Sequence, residues 1–346
     1  MLLHTSVRVA GPVLLVFLTA ISGRAQDSPI PRALFTSQEP LRMTLRADFD
    51  EIRDNRNDTI ARPGTLLLET EAGPGAPIEL KLWVRGNFRR QKEICSFPPI
   101  RLDFDKEDEN LGIFSGQNRV KMVVHCRDND DFEQYILKEY IAYRIFNLIT
   151  DESFRVRLVH TTYVDEAGER EPETRWSFLL EDDDDMAERL GGEVLDLPQI
   201  DPLAADAQHS GLVALFQYMI GNTDESTLAL HNTVPIKIGD REYRIVPYDF
   251  DWSGLVSARY ARPDERLPIS NVRQRLYRGF CRAELDYGAM YALFNERRPA
   301  IETMIREVPG LDEDNRERVL SYLEGFYRVI TDPKRAERDI ESECRG

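Results

Sequence analysis

The chain has 346 residues, of which 42% are hydrophobic and 31% are charged, and this composition is typical of a globular protein with a sizeable core. Its formal net charge of −16 argues against nucleic acid or an anionic membrane surface as the main partner. With five histidines and no Cys-x-x-Cys pair, the sequence also argues against a zinc cluster.

The N-terminus, residues 1–25, predicts a cleavable signal peptide. The apolar run Val9–Ile21 is too short to cross a bilayer as a helix, and small residues at Gly23 and Ala25 favour cleavage before Gln26. A retained anchor is the alternative. No later run approaches 18 apolar residues, so we expect an exported protein, periplasmic or secreted, without a transmembrane span after cleavage.

The cysteines fit an exported protein, since an even number allows complete pairing into disulfides. Three pairings of the four are possible, and we favour the one in which each bond ties neighbouring regions. This pairing joins Cys95 to Cys126 and Cys281 to Cys344.

After a predicted linker over residues 26–40, the segment 41–182 is rich in strand patterns. Alternating or continuous apolar runs predict strands, and one stretch has apolar residues at helical spacing. The predicted strands are Thr65–Thr70, Ile78–Val84, Ile100–Phe104, Arg119–His125, Phe154–Val164 and Arg175–Leu180, and the helix is Asp131–Ile149.

The segment 183–346 is predicted to be mainly helical. Its predicted helices are Ser210–Ile220, Leu285–Val308 and Asn315–Ile330, with a hairpin of Ile236–Gly239 and Tyr243–Pro247 after the first. Because strands and helices are segregated, we expect an α+β fold rather than a parallel α/β sheet. The order of elements predicts a two-lobed, protein-kinase-like fold, with a strand-rich N-lobe containing one main helix and a mainly helical C-lobe.

Polar residues are concentrated on both sides of this hairpin. The loop before it offers Asp224, His231 and Asn232, and the segment after it, YDFDW, offers Asp249 and Asp251. Phosphoryl transfer needs an Asp to orient or deprotonate the acceptor hydroxyl, and an Asn and an Asp to hold Mg²⁺ on the phosphates. The sequence therefore predicts a phosphotransferase site at this hairpin.

At these residues the chain resembles the CotH-type kinases and, more distantly, the HipA-like, phosphoinositide and secretory-pathway kinases. The matching motifs are NTD…HN at 222–232 and YDFDWSG at 248–254. V-R-G-N at 84–87 is similar to the family's R-G-N turn, and Ile100–Phe104 to its following basic strand. Residues 112–124 are similar to its lysine-containing strand, so the resemblance spans roughly residues 80 to 255.

The resemblance implies a role for each matching residue. These are Asp224 as the catalytic Asp, Asn232 and Asp249 as metal ligands, Asp251 as their support, Lys121 as the phosphate-holding Lys, Glu139 or Glu133 as its partner, and Arg85 in the cofactor site. One departure concerns spacing, because Asp224 and Asn232 are eight positions apart, more than the five of the protein-kinase pattern. Either the extra residues loop out, or His231 takes a different role.

The expected function is transfer of the ATP γ-phosphate to a hydroxyl acceptor, such as a protein side chain, with ATP and Mg²⁺ (or Mn²⁺) as cofactors. Two alternatives remain open. One is a catalytically inactive kinase-like module that binds a nucleotide or a partner. The other is a metal-dependent hydrolase, which would normally use more histidine ligands than this chain supplies.

Overall fold

The computed structural model describes residues 32–168, 170–239 and 242–346, and within them the chain is a mixed α+β protein. The predicted signal peptide lies outside the described residues. The strands are β1 (Leu41–Ala47), β2 (Arg62–Thr70), β3 (Gly73–Pro74), β4 (Ile78–Val84), β5 (Ile100–Phe104), β6 (Arg119–Val123), β7 (Val156–Asp165), β8 (Glu173–Leu180), β9 (Gly192–Val194), β10 (Thr233–Ile238) and β11 (Glu242–Pro247). The helices are α1 (Phe49–Asp54), α2 (Asp130–Ile149), α3 (Asp183–Arg189), α4 (Ala207–Ile220), α5 (Tyr287–Glu307), α6 (Glu313–Ile330) and α7 (Pro333–Asp339).

The main sheet has the strand order β1-β7-β8-β6-β5-β4-β2-β3, and it closes on itself because β1 also pairs with β2. β1 is parallel to β7, whereas the other neighbouring pairs are antiparallel. Alternation along β4 buries Ile78, Leu80, Leu82 and Val84. These side chains join others from β1, β2 and β5 to β8 in one hydrophobic cluster.

The predicted elements agree with the structure at most positions. The strands predicted at Ile78–Val84 and Ile100–Phe104 have those same bounds, and α2 begins one residue before the predicted helix. The sequence did not predict α3, β9 or α7. α3 begins within an acidic run, where carboxylates favour a helix N-terminus and Asp182 accepts a hydrogen bond from the Asp184 N–H.

The described part of the predicted linker is packed against the protein. Ala33–Phe35 forms a 3₁₀ turn, and the side chains of Leu34 and Phe35 are buried in the cluster of the main sheet. The guanidinium of Arg157 donates a hydrogen bond of 3.1 Å to the Leu34 carbonyl. This segment is therefore part of the fold from residue 33 onwards.

Helix α2 joins the sheet to the helices that follow. It packs on β7, β8 and α5, and Phe146 stacks on Phe216 of α4 with ring centroids 4.4 Å apart. One hydrophobic cluster contains residues from α2, β7 and β8 together with α4, α5 and α6. The core is thus continuous across residue 182, where the sequence places the border between two lobes, and the lobes themselves stay a prediction.

Both predicted disulfides are confirmed. Cys95 is bonded to Cys126 and Cys281 to Cys344, so all four cysteines are paired. Disulfides of this kind fit a secreted or periplasmic protein. In the described part of the chain, none of the helices has the length and apolar character needed to span a bilayer.

Candidate active site

The loop between α4 and β10 begins with a helix end that fixes its direction. Gly221 closes α4 with a φ of 65°, and a Cβ there would lie 2.0 Å from the Tyr322 hydroxyl. Only glycine fits this left-handed, crowded position without strain. Three residues later, the Asp224 N–H donates to Oδ1 of Asn222 at 3.1 Å. The helix end therefore sets the position of Asp224.

Asn232 is brought onto Asp224 although eight positions separate the two residues. Ser226 and His231 exchange backbone hydrogen bonds of 3.0 and 3.1 Å, so the residues between them loop out. The Asn232 amide then donates to the Asp224 carbonyl at 2.8 Å and to its Oδ2 at 3.0 Å. Of the two possibilities left by the sequence, looping out is the one observed.

His231 also contacts Asp224, at 3.3 Å from Nε2 to Oδ1. Because both bonds from the Asn232 amide nitrogen go to Asp224, the amide Oδ1 is left as an acceptor, and no hydrogen bond to it is present among the described residues. Asn232 has a φ of 54°, a conformation that asparagine tolerates better than most residues. The loop thus presents one carboxylate and one free amide oxygen.

The hairpin of β10 and β11 places Asp249 beside this loop. Thr233 is paired with Pro247, and the Tyr248 N–H donates to the Asn232 carbonyl at 3.0 Å. Asp249 follows with a φ of 61°, and its N–H donates to the Tyr143 hydroxyl at 2.8 Å. Backbone strain of this kind is concentrated at functional sites and persists where surrounding contacts hold it.

Arg89 lies among three carboxylates, in the loop between β4 and β5. Its guanidinium is 3.3 Å from Oδ1 of Asp249, 3.4 Å from Oε2 of Glu139 and 3.5 Å from Oδ2 of Asp251. Arg89, Glu139 and Asp251 are buried, whereas the Asp249 carboxylate is 36% exposed. Oδ2 of Asp251 also accepts a hydrogen bond of 2.8 Å from Tyr260.

Burial and mutual repulsion set the protonation of this group. Desolvation, with a smaller contribution from the Asp249 charge, raises the pKa of Glu139 to about 7 against the opposing effect of Arg89. Desolvation also raises the pKa of Asp251 well above its usual range. Burial alone would lower the pKa of Arg89, but Asp251 and Glu139 outweigh it and raise that pKa. With one cation for three carboxyls, the buried carboxyls of Glu139 and Asp251 hold their protons more readily than usual.

A cleft of about 440 Å³ connects the two groups. Its lining includes Asp224, His231 and Asn232 from the first group, Asp249 and Asp251 from the second, and loop residues 85–89. Phe88 anchors this loop, with its ring 5.2 Å from that of Trp252. Arg85 lines the cleft and forms no ion pair with a described residue. The cleft therefore combines free carboxylate and amide oxygens with an available guanidinium.

The structure brings most of the residues predicted from the sequence together at this cleft. Those that line it are Arg85, Asp224, Asn232, Asp249 and Asp251. Glu139 lies behind it, in contact with Arg89.

Lys121 is placed differently from the prediction. Its ammonium forms an ion pair of 2.5 Å with Asp183, and it does not line the cleft. The predicted pairing with Glu139 or Glu133 is also wrong. Glu139 contacts Arg89, and the Glu133 carboxylate accepts a hydrogen bond of 2.5 Å from the Trp176 N–H. Lys121 pairs with Asp183 because it lies opposite Leu180, the last residue of β8, and so beside the acidic start of α3.

Sequence reasoning missed Arg89, Tyr143 and Tyr260. Tyr143 lies one turn after Glu139 on α2, so both point to the same side of the helix, and this spacing is visible in the sequence. Arg89 follows Arg85 by four positions, but nothing in R-G-N-F-R-R distinguishes it from Arg90, which pairs with Asp58 near the surface.

The chain matches no protein-family model, and no curated protein matches it either.

Proposed function

We propose that this chain is an exported, kinase-like phosphotransferase that moves the γ-phosphate of ATP to a hydroxyl acceptor. The observation that carries the proposal is the contact of Asn232 with Asp224, formed across looped-out residues, in the same cleft as Asp249. An acceptor-orienting Asp, an Asn and a second Asp are the parts that kinase catalysis uses.

The arrangement of strands supports a kinase-like N-lobe. β4, β5, β6, β8 and β7 are consecutive antiparallel neighbours, and α2 is inserted between β6 and β7. In protein kinases an ion-paired Glu on the corresponding helix positions the site, and Glu139 on α2 has such a pair, although with Arg89 instead of a lysine. The extra strands β1 and β2 are an addition to this plan. The resemblance of the sequence to the CotH-type kinases also supports a kinase-like N-lobe.

The residues of the cleft divide into two roles. Asp224 would orient and deprotonate the acceptor hydroxyl, with its carboxylate held by Asn232 and His231. Asn232 Oδ1 and the Asp249 carboxylate would hold Mg²⁺ (or Mn²⁺), which prefers hard oxygen ligands, and the buried carboxyls of Asp251 and Glu139 lie behind them in contact with Arg89. When bound, a magnesium ion would neutralise negative charge on the phosphates. Arg85 is the better candidate for the phosphate contact, because Lys121 is engaged by Asp183.

Export is supported by the signal-like segment 1–25 and by the two disulfides. It also bears on catalysis, since an exported kinase depends on ATP outside the cytoplasm. The acceptor would be a hydroxyl group met there, such as a protein side chain.

The alternative is an inactive kinase-like module that binds a nucleotide or a partner. One observation favours it: the Arg89 guanidinium contacts Asp249, which is the carboxylate that a metal ion would need. An arginine there leaves the cleft less negative than an open metal site.

The experiment is to incubate the purified protein with γ-labelled ATP, Mg²⁺ or Mn²⁺, and a mixed protein substrate. An active kinase transfers label to itself or to the substrate, and Asp224→Asn and Asp249→Asn each lower the rate by at least about 100-fold. Thermal stabilisation by ATP without transfer would favour the inactive module. If ATP causes neither transfer nor thermal stabilisation, both the active kinase and the inactive nucleotide-binding module are ruled out.

A further inference from the structure

A second cluster of polar side chains lies away from the cleft, between α1 and the start of β8. It consists of His125, Asp128 and Glu173, and one ligand atom from each lies within 4.8 Å of the other two. His125 and Asp128 belong to the connection between β6 and α2, and Glu173 is the first residue of β8. The cluster therefore joins two parts of the chain that are distant in sequence.

His125 is the unusual member. Its side chain is 1% exposed, and neither ring nitrogen has a hydrogen-bond partner among the described residues. Its ring lies 5.0 Å from that of Phe97 and 5.5 Å from that of Tyr163. Buried polar atoms are normally hydrogen-bonded, so an unpaired imidazole with carboxylates nearby indicates a missing partner.

The distances around Nε2 fit a bound metal ion better than a hydrogen bond. Nε2 lies 3.5 Å from Oδ1 of Asp128 and 3.7 Å from Oε2 of Glu173. Both distances are long for a hydrogen bond, which is usually below about 3.2 Å. Two ligand atoms at about 2.1 Å from a tetrahedral zinc ion are about 3.4 Å apart, close to the observed separations.

We propose that His125, Asp128 and Glu173 bind a divalent transition-metal ion of the Zn²⁺ type. Imidazole nitrogen and carboxylate oxygen are ligands that zinc accepts, and water would complete the coordination, because Asp128 is 45% exposed. The sequence argues against a zinc cluster because it has few histidines and no Cys-x-x-Cys pair, and the proposed site departs from that expectation by using one histidine with two carboxylates. It is also independent of the function proposed for the cleft.

Arg53 is the group that competes with the ion. Its guanidinium lies 3.6 Å from Oδ1 of Asp128 and 3.9 Å from Oε2 of Glu173, the same oxygens that face His125. It also lies over the Phe97 ring at 4.7 Å, a contact that does not need the carboxylates. Metal binding therefore requires a small withdrawal of Arg53, and replacing it by glutamine should tighten binding.

The ion would fasten the segment that leads into α2. Cys126, next to His125, is bonded to Cys95 in the loop that carries Arg89, and α2 carries Glu139. A metal bond from this segment to β8 adds a second link beside the disulfide in sequence. We expect metal to raise the melting temperature by a few degrees, since a ligand of the native state stabilises it.

The test is calorimetric titration of the chelator-treated protein with Zn²⁺ alone, in an Asp249→Asn background that removes zinc binding by the cleft. One equivalent should bind, with a Kd in the micromolar range or below. Glu173→Gln and Asp128→Asn should each weaken binding by at least about 10-fold, and Arg53→Gln should strengthen it. Asp130→Asn, a neighbouring carboxylate that is 92% exposed and outside the cluster, is the matched control and should bind zinc as the background does.

Failure to bind zinc, or equal binding by the Glu173 and Asp128 variants, would overturn the proposal. Because both substituted side chains are partly exposed, the folding of each variant can be checked by its melting temperature without metal. X-ray absorption of the zinc complex gives a second measurement, which should show one imidazole nitrogen among oxygen ligands and no sulfur.

Discussion

Nη2 of Arg89 lies 3.3 Å from Oδ1 of Asp249, so the residue best placed to bind a metal ion at the cleft is already paired with a buried cation. The same guanidinium contacts Glu139 and Asp251. A magnesium ion would therefore share Asp249 with Arg89, and the position of Arg89 would set how negative the cleft is.

Replacing Arg89 tests this relationship through stability. Arg89→Gln leaves three carboxyls near each other without their cation, and we expect the free energy of unfolding to fall by about 3 kcal/mol. Urea unfolding measures the loss. Mg²⁺ should recover part of it in the variant, because the carboxylates then have a replacement cation.

The control for this variant is Arg90→Gln, which removes the partly exposed pair with Asp58 and should cost less than about 1 kcal/mol. If Arg89→Gln unfolds at the same urea concentration as the unmodified protein, the three ion pairs contribute nothing to stability, and the electrostatic description of the site is wrong.

Glu139 gives a prediction about pH. Its pKa is raised by burial to about 7 in the folded protein, so between about pH 4.5 and pH 7 the folded state binds more protons than the unfolded state. The contribution of Glu139 to stability therefore falls as pH rises through this window. Glu139→Gln removes this effect, so its stability relative to the unmodified protein should rise by on the order of 2 kcal/mol from pH 5 to pH 8.

Urea unfolding of both proteins at several pH values measures this difference. Glu317→Gln, which removes a carboxyl at an exposed position of α6, is the matched control variant. A difference for Glu139→Gln that does not change with pH would mean that burial does not raise the pKa of this carboxyl.

Arg85 and Lys121 compete for the role of the phosphate-holding residue. Arg85 lines the cleft, whereas Lys121 is paired with Asp183. We expect Arg85→Gln to weaken binding of Mg-ATP by about 10-fold, as loss of a charge-assisted hydrogen bond does, and Lys121→Gln to change it by less than about 3-fold. Fluorescence titration with a nucleotide analogue measures both. The reverse ranking would restore Lys121 to the role that the family resemblance implies.

The two disulfides should differ in their effects. Both close long loops, with sequence separations of 31 and 63, and the chain-entropy description gives about 4 kcal/mol of stability for each. Replacing Cys281 and Cys344 by alanine should lower the melting temperature and leave nucleotide affinity unchanged. Replacing Cys95 and Cys126 should lower both, since that bond ties the loop that carries Arg89. Equal nucleotide affinity in the two double variants would contradict the proposed role of this loop.

Much of the fold follows from local sequence patterns. The alternation in IELKLWV predicts β4, and the helical spacing of apolar residues predicts α2. Both predictions work because burial of one face of a strand or helix leaves a periodic pattern of apolar residues in the sequence. The closing of the sheet by β1 and β2 could not be predicted, since pairing between distant strands leaves no local signal. Leu34 and Phe35 were assigned to a linker for the same reason, as their partners lie far along the chain.

The part of the candidate site that could be predicted comes from residues close together in the sequence. Asp224, Asn232 and Asp249 stand on either side of a single hairpin, so a turn in the sequence brings them together. The cation at the site was not predictable, because Arg89 reaches Glu139 and Asp249 from a loop 50 and 160 positions away. Lys121 was favoured because it lies in the segment that is similar to the family's lysine-containing strand, but its partner is Asp183 near the surface.

The measurement that most directly tests a nucleotide site between Asp224 and Asp249 is calorimetric titration of the purified protein with ATP, with and without Mg²⁺. We predict binding in the micromolar range that requires Mg²⁺, weakened at least about 10-fold by Asp249→Asn and less than about 3-fold by Asp224→Asn, since Asp224 faces the acceptor and not the nucleotide. Asp264→Asn, an exposed carboxylate outside the cleft, should bind as the unmodified protein does. No Mg²⁺-dependent binding at millimolar ATP, or unchanged binding by Asp249→Asn, would contradict the proposed site.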